Sequence, residues 1–301
     1  MASAIRKILW ALLGLIVMYI LYIGAVYGPA VYRATIGLKR FETEMPVLPP
    51  GLGDQAILVF SKTNGFRHDE AITAANELFK KIAAQHGWQV YCTESGGVFN
   101  PAQLRHFKVM VWNNASGDVL TAGQREAFQS WLKAGGRYLG VHAAGDNSHQ
   151  KWPWYQDEVL KAHFIGHPVN PQFQEATAIV EDTGSPVVQG LPTRWVRTDE
   201  WYSFAASPRL KGSHVLITLD ERTYQPAMRF PFPISLVKSN VDLRMGADHP
   251  VVWSHCVGRG RVIYSAMGHQ ASAFAEPAYQ RLLENALIWE TGPDTCADAA
   301  P

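Results

Sequence analysis

The histidine of Gly140-Val-His-Ala-Ala-Gly145 is the side chain best suited to chemistry in this sequence. A short apolar run leads into it and small residues follow. That is the pattern of a tight turn that exposes one side chain and lets backbone approach it closely. His142 could serve there as general base or metal ligand, or it could be a core histidine satisfied by backbone groups. His269, in Gly268-His269, would face it across a crevice if both preceding strands are central, or it could cap the last helix. Asp199-Glu200, just before Trp201-Tyr202, is a carboxylate pair beside aromatic rings. Such a pair can move protons or accept sugar hydroxyls with a ring as platform, or simply form a loop salt bridge. His142, His269 and Glu200 are the expected catalytic set.

Arg67 and His68 suit an anionic or hydroxylated ligand, although Asp69 and Glu70 also suit the first turn of a helix. Asn113 and Asn114, Asp199, Trp201 and His249 complete the candidates for substrate contact, together with Trp152. Trp152 belongs to Trp152-Pro-Trp-Tyr155, which with His163 and His167 suggests an aromatic lid or a surface-packed cluster. His249-Pro250 is also explained by turn geometry before a strand. There is no His-Glu-x-x-His motif, and Gly166 interrupts His163-x-x-x-His167. No cofactor is expected; a divalent metal on His142, Glu200 and His269 is a minor reading.

These residues need elements to place them, and the sequence alternates strand-like with helix-like runs. Ala56–Ser61, Gln89–Thr93, Val109–Trp112, Arg137–Val141, Val215–Leu219, Val251–Trp253 and Val262–Ser265 read as strands. Ile72, Ala75, Phe79 and Ile82 mark one amphipathic helix. Thr121-x-x-Gln124 is a capping box opening a second, which Gly135-Gly136 stops. Tyr279, Leu282, Leu283, Ala286 and Leu287 mark the last. Repeated βα units predict an α/β fold with a mostly parallel sheet and right-handed crossovers. Ligands in such sheets bind at the carboxyl ends of the strands, where the polar loops bearing His68, Asn113, His142 and His269 would converge.

Ile8 to Tyr27 is uncharged and about long enough to cross a bilayer core of roughly 30 Å. It is longer than a signal-peptide core and lacks a good cleavage site, so a transmembrane signal anchor over residues 1–30 is expected. Arg6 and Lys7 favour a cytoplasmic N-terminus and a periplasmic or extracytoplasmic domain, although Arg33, Lys39 and Arg40 follow the span. A linker over 31–54, a domain over 55–292 and a flexible tail over 293–301 complete the division. With 47% hydrophobic residues the chain can bury a full core, and a net charge of +1 argues against nucleic acid as partner. Cys92, Cys256 and Cys296 form no C-x-x-C pair and imply no disulfide framework, though export would permit one bridge; a buried Cys92 on a strand is expected.

Taken in order, Gly65-Phe-Arg-His68, Leu132-Lys-Ala-Gly-Gly136, Gly140-Val-His-Ala143, Trp152-Pro-Trp-Tyr155, Phe164-Ile-Gly-His-Pro168, Asp199-Glu200, His249-Pro-Val-Val-Trp253, Gly260-Arg-Val-Ile-Tyr264 and Gly268-His269 resemble the ThuA-like (trehalose utilisation) family. That family lies within the class I glutamine amidotransferase-like superfamily. The resemblance implies a flavodoxin-like three-layer sandwich with an active-site elbow after a central strand. Glutamine amidotransferases carry Cys at that elbow; His142 stands here, which argues against glutaminase chemistry. The family's association with trehalose and 3-keto disaccharides implies a small-molecule sugar as partner and a lyase, isomerase or hydrolase using histidine acid/base chemistry. A non-catalytic carbohydrate-binding or scaffold module is the alternative, and a metal-dependent hydrolase a third reading. The segment Tyr224–Met245 is longer and more aromatic than the family pattern implies and could reshape the pocket rim.

Overall fold

A computed structural model describes residues 2–35, 39–53, 55–232, 234–292 and Cys296. Helix α1 (Ala2–Thr35) includes Ser3–Ala25, a stretch long and apolar enough to cross a membrane and wholly unburied by the rest of the protein. The remainder builds on one sheet of nine strands. They are β1 (Ala56–Phe60), β2 (Val90–Thr93), β3 (Phe107–Asn113), β4 (Arg137–Val141), β5 (Gln174–Val180), β6 (Arg194–Asp199), β7 (His214–Asp220), β8 (Pro250–Val257) and β9 (Gly260–Ser265). Their order across the sheet is β2-β1-β3-β4-β9-β8-β7-β5-β6. The first five in that order pair in parallel and the rest antiparallel. The sheet is therefore evenly mixed, where the sequence pattern predicts a mostly parallel one. β8 and β9 form a hairpin around Gly258-Arg259, a tight connection only antiparallel strands can use.

Helices cover both faces of the parallel half. β3 shows this directly, since successive side chains point to opposite faces. Trp112 packs on Phe128 of α3 (Ala122–Lys133), with ring centroids 5.5 Å apart. Asn113, its neighbour, donates to the Ile72 carbonyl of α2 (Asp69–Gln85) at 3.0 Å. The Thr121/Gln124 capping box opens α3 as the sequence predicts, and Asp69 and Glu70 form the first turn of α2. The last helix, α4 (Pro277–Thr291), turns Tyr279, Leu282, Leu283, Ala286 and Leu287 into the core. β1, β3 and β4 are buried nearly throughout, which is why they read as continuous apolar runs.

The described part of the expected linker is a strap bound to the domain, not a free spacer. Glu42 Oε1 lies 2.7 Å from Lys62 Nζ, its carbonyl accepts from Gln124 Nε2 at 2.7 Å, and Gln103 Nε2 donates to the Pro46 carbonyl at 2.6 Å. Gly97 has no room for a Cβ, which would meet the Glu44 carbonyl oxygen at 1.9 Å. Cys256 on β8 and Cys296 form a disulfide, while Cys92 is half-buried, not buried as expected. Sequence separation of 40 between the paired cysteines gave no local signal of the bond. Apart from Cys296, the expected tail lies outside the described residues. The Tyr224–Met245 segment forms a small hairpin, Ala227–Met228 with Val241–Asp242, whose tip exposes Phe232, Leu236 and Val237.

Candidate functional site

The chain leaves β4 through His142 at φ +48°, a left-handed conformation uncommon outside glycine, and enters a single 3₁₀ turn over His142–Gly145. Small residues are needed here. A Cβ on Gly145 would lie 2.2 Å from the Tyr264 ring, whose hydroxyl donates to the His142 carbonyl at 2.8 Å. The turn has the elbow form that the sequence suggests. It aims the imidazole across the top of the sheet, where Nδ1 meets the Ala266 carbonyl at 2.9 Å. A carbonyl only accepts, so Nδ1 carries the proton and a neutral His142 presents the lone pair of Nε2.

Three other side chains meet that lone pair. Nδ1 of His269 lies 3.1 Å from His142 Nε2, and Glu200 Oε2 lies 3.0 Å from His269 Nδ1 and 3.4 Å from His142 Nε2. His68 packs edge-on against both rings, with centroids 5.0 Å from His142 and 4.4 Å from His269. One donor atom from each of the four lies within 4.8 Å of the other three. His68 Nδ1 is buried and has no hydrogen-bond partner. Such a donor set, three imidazoles and a carboxylate, could hold a metal ion or share protons.

The environment polarises these groups. Burial lowers the His142 pKa, but contact with the Glu200 carboxylate outweighs it, and the ring is pushed above its ordinary range. Burial would raise Glu200, yet its contacts with His142 and His269 hold it well below the usual carboxylate range. His68 is pushed down to about 2, by burial first and then by the neighbouring His142 and His269. On its other oxygen, Glu200 meets His167 Nδ1 at 3.2 Å and accepts from Gln172.

Above the cluster opens a cleft of about 190 Å³, lined by Phe66, His68, Asp146, Asn147, Phe164, His167, Gln172, Glu200, Tyr202 and His269. His142 is fully buried and lies behind that lining. The expected catalytic trio is thus brought together, with His269 and Glu200 facing the cleft and His142 reaching it only through them. His167, which the sequence suggests for a lid, belongs to the floor. Gln172 carries no sequence signal, and the cleft-lining Asp146 lies in the loop flagged after β4.

Most of the expected substrate contacts other than His68 are placed elsewhere. Arg67 turns away to Glu94, at 2.8 and 3.0 Å. Asn113 and Asn114 are buried beneath the turn and bonded to backbone at Ile72 and Gly268. Trp152 packs into the core against Trp112, Phe128 and Tyr155, so it is not a lid. Trp201 is fully buried and donates to the Gln174 carbonyl, and His249 is buried between Glu221 and the Tyr202 carbonyl. Asp199 is also buried, with both oxygens occupied by backbone N–H groups of Gly268, His269 and Glu200. It clamps the end of β6 to the loop after β9 and so positions Glu200 against His269.

Fold and site define an α/β protein with a polar crevice at the carboxyl ends of its parallel strands. The profile of the ThuA family, described as trehalose utilisation, matches residues 56–290, and the chain belongs to that family. A ThuA-like protein from Bacteroides uniformis is 26% identical and superposes with a TM-score of 0.67, over 83% of this chain and 96% of that one. A ThuA-like protein from Parabacteroides merdae, 18% identical, shares the fold with a TM-score of 0.56 over 80% of this chain and 91% of that one. Comparison with curated proteins finds no match.

Proposed function

We propose that the crevice processes a sugar carrying a keto group, of the trehalose or 3-keto disaccharide type, by acid/base chemistry at the His142–His269–Glu200 cluster. One observation carries the reading: three imidazoles and a carboxylate converge within 4.8 Å on the floor of an open cleft. His269 and Glu200 would touch the substrate, abstracting a proton beside the carbonyl and returning it, while His142 supports them from behind. The enclosing rings of Phe66, Phe164 and Tyr202 suit the apolar face of a sugar. The 2-1-3-4 order of the parallel strands and the elbow at His142 support a flavodoxin-like, amidotransferase-like origin of the fold.

In this reading α1 anchors the chain and the domain of residues 55–292 works on the periplasmic or extracytoplasmic side. Arg6 and Lys7 before the uncharged run Ile8–Tyr27 and the Cys256–Cys296 bond support that side, since disulfides persist in oxidising compartments. The test is turnover of 3-keto disaccharides by the full chain in detergent. Wild type should be active, and His269→Ala and Glu200→Gln should each lose about 10²–10⁴-fold, the usual worth of a positioned proton-transfer group. Sugar binding without turnover in wild type, or variants as fast as wild type, would overturn the enzymatic reading.

A further inference from the structure

We propose that His68, His142, Glu200 and His269 bind one first-row divalent transition ion, with Zn²⁺ the best match among common ions. Two donors at about 2.1 Å from a tetrahedral ion lie about 3.4 Å apart, given ordinary zinc–nitrogen and zinc–carboxylate distances. Observed separations among His142 Nε2, His269 Nδ1 and Glu200 Oε2 are 3.0, 3.1 and 3.4 Å. These three atoms form a triangle of the size one ion requires, and the fourth donor, from His68, completes the set within 4.8 Å.

The hydrogen bonding points the same way. Nδ1 of His142 is committed as donor to the Ala266 carbonyl, the outer partner that orients metal-binding imidazoles. Its Nε2 therefore faces the carboxylate and two further rings as a lone pair. Three such atoms meeting at hydrogen-bond distance share either protons or a metal cation, and a single ion would satisfy all three at once. Glu200 is braced on its other oxygen by His167 and Gln172, as a ligating carboxylate usually is. His68 Nδ1, buried without a partner, is the kind of orphaned polar atom that should not persist unless something unseen satisfies it. Three imidazoles select against Mg²⁺ and Ca²⁺, which prefer oxygen donors.

An ion here would polarise a carbonyl or hydroxyl oxygen entering from the cleft, and His142, His269 and Glu200 would then act as ligands, so proton transfer by His269 and Glu200 belongs to the metal-free cluster. The proposal concerns the same cluster as the sugar reading, but the two fail separately. Metal binding without keto-sugar turnover would sink that reading alone, and turnover by protein that takes up no metal would sink this one.

The experiment strips the full-length protein in detergent with a chelator, then titrates it with Zn²⁺ by calorimetry and measures bound metal. Wild type should take up about one equivalent. His142→Ala and Glu200→Gln should each weaken binding at least about 100-fold, beyond the 10–100-fold typical of an outer-shell partner. His163→Ala, at an exposed histidine paired with Asp157, should change nothing. Because a ligand variant can fail to fold, X-ray absorption at the zinc edge of the wild-type protein supplies an independent reading, expected to give imidazole nitrogens and one carboxylate oxygen. Sub-stoichiometric uptake by wild type, an absorption spectrum without imidazole, or folded variants with unchanged affinity would each overturn the proposal.

Discussion

Asp199→Asn tests how the site is held together. One carboxylate oxygen accepts from Gly268 N–H at 2.8 Å; the other accepts from His269 N–H at 3.2 Å and Glu200 N–H at 2.9 Å. Arg197 Nη2 stands 3.1 Å away, and both side chains are 1% exposed, so water cannot replace a lost partner. Asparagine keeps one acceptor and turns the other into a donor, which must then face an N–H or the guanidinium. An orphaned buried donor costs about 1–3 kcal/mol, and breaking a buried ion pair about 3–5 kcal/mol. Arg197 keeps Glu276 at 3.0 Å, which holds the total near the lower end, about 4 kcal/mol. In a domain of this size that is a melting-temperature drop of roughly 8–16 °C, read by calorimetry on the full chain. A double-mutant cycle with Arg197→Met should show coupling of at least about 2 kcal/mol. A loss under about 1 kcal/mol with no coupling would refute the clamp.

Gly145→Ala should cost about 2–3 kcal/mol, because the new methyl would meet the Tyr264 ring at 2.2 Å and push it off the His142 carbonyl. Thermal unfolding within about 2 °C of wild type would show that the turn has slack. A histidine outside the cluster should add to the acid sensitivity that the depressed His68 brings. His255, between Ser213 and the Glu158 carbonyl, is held down to about 4 by burial above all, against 6.5 ordinarily. Its folded pKa is the depressed one, so the unfolded chain binds the proton more readily. The contribution of His255 to stability should then fall as pH drops from about 6.5 to about 4 and level off below, by roughly 3 kcal/mol in all. His255→Asn should reduce the pH slope of the denaturant midpoints across that window, leaving the part His68 contributes; an unaltered slope would exclude His255 as a contributor.

Where burial is uniform, the fold is legible in the sequence. β1, β3 and β4 lie in the parallel half, dry on both faces, and the stretches Ala56–Phe60, Val109–Trp112 and Tyr138–Val141 within them carry no charged interruption. β6 escapes sequence reading because its inward positions are Trp195, Arg197 and Asp199 while Val196 faces out. The alternation is present, but charged residues occupy the buried phase, so a hydrophobic pattern cannot find it. β5 is likewise hidden by its polar edge residues. The hairpin at Gly258-Arg259 between β8 and β9, and with it the switch to antiparallel pairing, is not read from the sequence, whose pattern predicts a mostly parallel sheet. At the site, His142 is legible because it directly follows an apolar strand, and His269 because it lies in the short Gly-containing loop after one. Trp152, Trp201 and His249 have the same residue types as site groups but are spent on core packing and buried hydrogen bonds, which only three-dimensional neighbours reveal.

The origins of the four clustered side chains explain why that clamp matters. His68, His142 and His269 all follow strands of the parallel half, whose carboxyl ends converge by topology alone. Three imidazoles so gathered bring nitrogen atoms but no negative charge. Glu200 supplies the charge, and it comes from the end of β6, the far edge strand of the antiparallel half. It reaches the imidazoles because Asp199, its neighbour, bonds the backbone of the very loop that carries His269. The strap of residues 39–46 binds the parallel half, at the loops after β1 and β2 and at Gln124 of α3. Chemistry that needs both the imidazoles and the carboxylate therefore depends on docking of the two halves of the sheet. A lesion at Asp199 should disable the site even though that residue never touches the cleft.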